Sequence, residues 1–156
     1  MADHIYEAGF TFTTSTAAAP FGEIIAATLA AGKRPPEIRE IGIYINAPGA
    51  NVAQIGIGQP AAIGITPATQ TTVQANNTFD TIAGNTTIAK SWGTAPTAPS
   101  TFRRRADLQA VAGAGTIWTW NPGEFVMWAG AAISTVVLWQ LSAQAVTYDC
   151  YLKVAE

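Results

Sequence analysis

The stretch Val146-Thr147-Tyr148-Asp149-Cys150-Tyr151-Leu152-Lys153-Val154 alternates with a period of two. Val146, Tyr148, Cys150, Leu152 and Val154 share one side, while Asp149 and Lys153, with Tyr151 between them, take the other. Successive side chains of a strand point to opposite faces, so this segment is a strand with one buried and one partly wet face. Residues 38–46 repeat the pattern, with Ile41, Ile43 and Ile45 on one side and Tyr44 on the other. Similar runs occur at 6–13, 52–58, 101–108, 116–120, 125–129 and 135–141, rich in β-branched and aromatic residues. Only 21–31, FGEIIAATLAA, predicts a short helix: Ile24, Ile25, Thr28 and Leu29 fall at helical spacing and Gly32 supplies a stop. About eight short strands joined by turns predict an all-β chain, an antiparallel β-sandwich or barrel.

At 156 residues the chain fits one domain, 1–156. Only 12% of it is charged, about half the usual share, yet it is 49% hydrophobic, which excludes disorder. No charge occurs from Ile41 to Phe79, a region of Ala, Thr, Asn, Gln, Gly and Pro that suits strands and loops. The net charge of −2 and pI of about 5.3 argue against nucleic acid, whose binders carry a basic stripe. One histidine and one cysteine cannot build a zinc site of the usual kind, and no cofactor is expected. The apolar, uncharged stretch 125–141 contains Gly130-Ala131-Ala132 among Val, Ile and Thr. That composition predicts a hairpin in preference to a spanning helix, so no membrane contact is expected.

Candidate chemistry is sparse, and no enzyme is expected. His4 is an ordinary surface residue near the terminus, and Cys150 reads as a small buried hydrophobe. Glu23, Glu37, Glu40 and Glu124 are scattered; Glu37 and Glu40 flank Arg39 as a local pairing. GIGQPA at 56–61 matches a dinucleotide fingerprint, but Pro60 and then IGITP follow, with no helix start to hold a pyrophosphate. In Arg103-Arg104-Arg105, alternation places Arg103 and Arg105 on one face and Arg104 on the other. The row either guards an edge strand by charge or grips carboxylates of a partner protein with planar forks. Within 135–141, Val136 and Leu138 face one way and Val137, Trp139 and Leu141 the other. A strand apolar on both faces needs two covers, and the second is most simply another subunit. Val137, Trp139 and Leu141 are therefore oligomer-interface candidates. Trp92, Trp118, Trp120, Trp128 and Trp139 leave three uses open: core packing, a sugar-stacking platform, or interface anchors.

The segments YEAGFTFTT (6–14), RPPEIREIGIYIN (34–46), IGIGQPA (55–61), SWGTAPTAPSTFRRR (91–105), GAGTIWTWNPGEFVMWAG (113–130), VVLWQLSA (136–143) and YDCYLKV (148–154) carry a resemblance. In these the chain resembles the small structural proteins encoded beside the head genes of tailed bacteriophages. The likeness runs from Tyr6 to Val154, and none of its segments is a catalytic signature. It implies a single jelly-roll domain forming a homotrimer, made in the host cytoplasm. It further implies a virion decoration, or cement, protein that binds the major capsid protein on the outer capsid surface and stabilises the shell. Under that resemblance Arg103 and Arg105 are the capsid-binding candidates. The alternative expectation is a carbohydrate-binding β-sandwich module, as on a phage fibre tip or a lectin, using the aromatic residues and the neutral Thr/Asn/Gln loops.

Overall fold

Alternation along the chain resolves into two antiparallel sheets in the computed structural model, which describes residues 4–14, 17–26, 35–75, 84, 86–127 and 135–156. The strands are β1 (Ile5–Thr13), β2 (Ala19–Ala26), β3 (Glu37–Ala47), β4 (Ala53–Gly58), β5 (Ile65–Thr72), β6 (Gln74–Ala75), β7 (Thr86–Thr94), β8 (Phe102–Leu108), β9 (Gly115–Thr119), β10 (Thr135–Gln140) and β11 (Thr147–Ala155). One sheet runs β6-β1-β11-β3-β9 and the other β5-β7-β2-β10-β4-β8. Without β5, β6 and β7, the order is β1-β11-β3-β9 facing β2-β10-β4-β8. That is the double Greek key of an eight-stranded jelly roll. The three extra strands belong to the connection between β4 and β8 and extend the sheets beyond β2 and β1.

Both sheets feed one hydrophobic cluster. Ile41, Ile43, Ile45, Leu152 and Val154 meet Ile24, Ile55, Ile57 and Leu138 there, each no more than 1% exposed. Burying an aliphatic side chain of this size is worth about 1.5–3 kcal/mol. Phe21 crosses between the sheets and stacks on Tyr148 with ring centroids 4.7 Å apart.

The helix expected at 21–31 is not seen among the described residues: 21–26 are the last six residues of the eight-residue strand β2, and 27–31 lie outside the described residues. β2 is an interior strand, hydrogen-bonded to β10 on one side and β7 on the other. Both of its faces are covered, so its apolar residues run on without alternation and imitate a helical stripe. A bulge opposite Leu138 and Trp139 makes Phe21 an extra residue in β2, beside Gly22. Of the described residues 125–127, Val126 forms an isolated bridge to Glu37, flanked by backbone hydrogen bonds from Ile38 N to the Phe125 carbonyl at 2.9 Å and from Met127 N to the Pro36 carbonyl at 2.8 Å. Trp128, Ala129 and the turn at 130–132 lie outside the described residues.

β10 is buried at every position, as its two apolar faces require. Val137 is fully buried and Trp139 only 9% exposed within this one chain, while Leu141 is half-buried. The cover expected from another subunit is thus largely intramolecular, because the β4–β8 connection folds back over the outside of the sheet. A Cβ on Gly56 would strike the Phe102 ring, and one on Gly58 would meet Pro99 and the Thr101 carbonyl. These two glycines of the GIGQPA segment let the returning chain lie against β4. The cover is tied together by Thr97 N donating to the Ala62 carbonyl at 3.0 Å and Ala62 N donating to Thr97 Oγ1 at 2.7 Å. Glu23, fully buried on the outer side of β2, fastens it to the sheet. Its carboxylate accepts from Trp92 Nε1 at 2.6 Å and from the Gly64 N–H at 3.1 Å.

Candidate interaction site

β8 closes one end of the six-stranded sheet and, among the described residues, pairs only with β4. Arg104 lies opposite Ile57, but Phe102 lies opposite Gly58, so Arg103 is an extra residue in a bulge. A bulge breaks side-chain alternation, and this one corrects the expected grouping. Arg103 does not share its surroundings with Arg105. The Arg103 guanidinium lies 4.6 Å from the centre of the Phe125 ring, and that of Arg104 lies 5.7 Å from Trp120. Arg105, opposite Gly56, instead lies 5.5 Å from Phe102, the ring that packs over Gly56 on the outside of the sandwich.

Trp120 and Phe125 are brought together by the turn Asn121-Pro122-Gly123-Glu124. Glu124 N donates to the Asn121 carbonyl at 3.0 Å. Gly123 takes φ +82°, a conformation that favours glycine after proline in such turns. The rings then meet edge-on, 5.0 Å apart at 69°. The Glu124 carboxylate accepts from the Asn121 N–H at 2.7 Å. That bond, then the Asn121 side chain and the charge of Arg104, hold its pKa below the usual carboxylate range.

All three arginines are exposed, and among the described residues none of them forms an ion pair. Ring faces attract and orient guanidinium planes, leaving their edge N–H groups directed elsewhere. Beside Arg105 an open cleft of about 340 Å³ is lined by Gln54, Ile55, Ala106, Asp107 and Leu141. Leu141, expected at an oligomer interface, thus sits in the same cleft as Arg105.

A second feature lies on the outer face of the other sheet. Tyr151 packs over Gly42 and Tyr44 over Gly115, where any Cβ would overlap the rings. The two rings are nearly parallel, 22° apart with centroids 6.4 Å apart. Around them Asp149 accepts from Thr11 Oγ1 and Asn46 Nδ2, each at 2.7 Å. Glu40 accepts from Tyr151 Oη at 2.7 Å and pairs with Lys153 at 3.2 Å. The Tyr151 bond, opposed by burial and helped by Lys153, lowers the Glu40 pKa. Nothing in the sequence singled out these tyrosines, because their glycine beds come from neighbouring strands.

The other titratable residues have structural surroundings. Arg39 pairs with Glu37 at 3.0 Å, as the sequence suggested, whereas Glu40 turns to Lys153. Cys150 is a buried free thiol whose pKa is pushed up by that burial. His4 is half-buried and exchanges backbone hydrogen bonds with Glu156. Trp118 is buried in the core and Trp120 packs half-buried against it. Among the described residues no helix is long and apolar enough to cross a membrane, and no group of three metal-ligating side chains occurs. Compared with known proteins, the chain matches no family model, no curated protein and no solved structure.

Proposed function

We propose that this chain is a non-enzymatic structural protein of a virion, a homotrimeric decoration protein that binds the major capsid protein on the outer surface of the shell. The observation that carries this reading is the arginine row on β8: three exposed guanidiniums, each resting on an aromatic ring and none ion-paired among the described residues. Such a row favours an acidic protein surface. A cement protein binds the assembled shell and not its separated parts, so it stabilises assembly by mass action. Three linked copies would add avidity to contacts that are individually weak. Ile65 and Ile117, 61% and 51% exposed, offer apolar area for contacts between copies. Shells assembled with and without the protein, then challenged by heat or low salt, test the reading. Greater survival of decorated shells is expected, and equal survival would remove it.

The carbohydrate-binding alternative is favoured by one observation, the Tyr44–Tyr151 pair edged by Asp149, Asn46 and Glu40. Sugar rings stack their C–H faces on such surfaces. It predicts hits on a glycan array that Tyr151→Ala abolishes; an array without hits would exclude it.

A further inference from the structure

We propose that the open edge of β8 is a strand-addition site for an extended acidic segment of a partner protein, one with neighbouring carboxylates. This deepens the decoration reading and rests on it for the identity of the partner. β8 has β4 on one side and, among the described residues, no strand on the other. Among the described residues no backbone hydrogen bond reaches that outer edge. Such an edge carries a row of free N–H and C=O groups ready to template another strand.

Charge decides which strand it accepts. Asp107 is the single acid on β8 beside Arg103, Arg104 and Arg105, and Glu124, which feels the charge of Arg104, is held by Asn121. A second copy docking edge to edge would set arginines against arginines, so self-pairing is disfavoured. An acidic strand would receive charge-assisted, bidentate hydrogen bonds from forks already oriented by Phe125, Trp120 and Phe102. The net charge of −2 and the small basic area favour a polypeptide over nucleic acid.

The bulge adds a detail of sequence. Arg103 and Arg104 lie by the Trp120–Phe125 pair, whereas Arg105 lies by Phe102 and the cleft next to Gln54 and Leu141. Guanidiniums thus stand on both sides of the edge. A strand added there sends consecutive side chains to opposite sides, so two adjacent carboxylates would each meet an arginine.

The test uses the full chain and three short peptides in a Thr/Val background. One has Glu-Glu at its centre, one has Gln-Gln, and one has Glu-Glu with alternate backbone amides N-methylated. At low salt the Glu-Glu peptide is expected to bind at least about tenfold more tightly than the Gln-Gln peptide. It should slow amide exchange along β8 and lose its affinity on N-methylation. The variant Arg103→Gln with Arg104→Gln, which keeps most of each side-chain stem, should lose most of the preference for Glu, Arg105 retaining the rest, while its melting temperature holds. Equal binding of Glu-Glu and Gln-Gln peptides would overturn the proposal. So would indifference to N-methylation, or equal competition by a single-stranded oligonucleotide of the same charge. The peptides involve no shell: peptide binding without shell binding would sink decoration and leave the edge site, and shell binding without peptide binding would do the reverse.

Discussion

Gln140 carries an amide into the sandwich interior, where it is fully buried. Its Oε1 accepts from Thr14 Oγ1 and from Tyr148 Oη, each at 2.8 Å. Its Nε2 donates to the carbonyls of Ser142, at 2.7 Å, and Gln144. Burial raises the pKa of the Tyr148 hydroxyl, so Tyr148 stays a neutral donor. Gln140→Ala would leave the buried Tyr148 hydroxyl without this acceptor, at about 1–3 kcal/mol, whereas Thr14 Oγ1 keeps the Gln144 and Val146 carbonyls, each at 3.1 Å. The urea midpoint should fall with the slope unchanged, and Tyr148→Phe, which keeps the amide, should cost less. Glu40 supplies a pH dependence with a definite sign. Its folded pKa lies below its unfolded value, so its contribution is complete above about pH 4.3 and is lost as pH falls through the lower folded value. Glu40→Gln should flatten that acid limb in a melting-temperature profile. An unchanged limb would mean that other carboxylates govern it.

At the scale of elements, β10 and β8 differ in what surrounds them. β10 lies between β2 and β4 beneath the returned connection, and Trp139 is 9% exposed there. Trp139→Ala should therefore cost about 3–5 kcal/mol, as large-to-small changes at buried positions do. Differential scanning calorimetry checks this, and an unchanged melting temperature would place the ring outside the packed layer. Among the described residues β8 is held on one side only, and its arginines make ring contacts without ion pairs. Arg103→Ala with Arg105→Ala should then leave the fold and the assembly state intact by circular dichroism and light scattering. Binding to shells should weaken, and the remaining binding should depend less on salt because two charges are gone. Failure to fold would assign the pair to structure, and wild-type binding would reduce them to protection of the edge.

For the whole molecule, light scattering at micromolar concentration should return the mass of a trimer if the decoration reading holds, and a monomer would count against it. The basis for that expectation shifts with the structure: Val137 and Trp139 are already covered within the chain, while Ile65, Val111 and Ile117 remain exposed. Several strands of the jelly roll were legible from local chemistry alone. Where one face is core and the other wet, as in β3 and β11, alternation marks the strand, and no long-range information is needed. The burial of Cys150 and the Arg39–Glu37 pair were legible for the same reason. β2 was not, because an interior strand covered on both faces loses its period. β5 and β7 were not, because their Thr, Ala and Gln residues form strands chiefly through pairing with each other. The sequence could show three arginines in a row, but not that a bulge opposite Gly58 would split them. Nor could it show that the β4–β8 connection would supply the second cover of β10. Alternation is a property of one strand, written in consecutive residues. Bulges, edge positions and layer covers are set by which segments meet across the chain, so only the tertiary structure decides them.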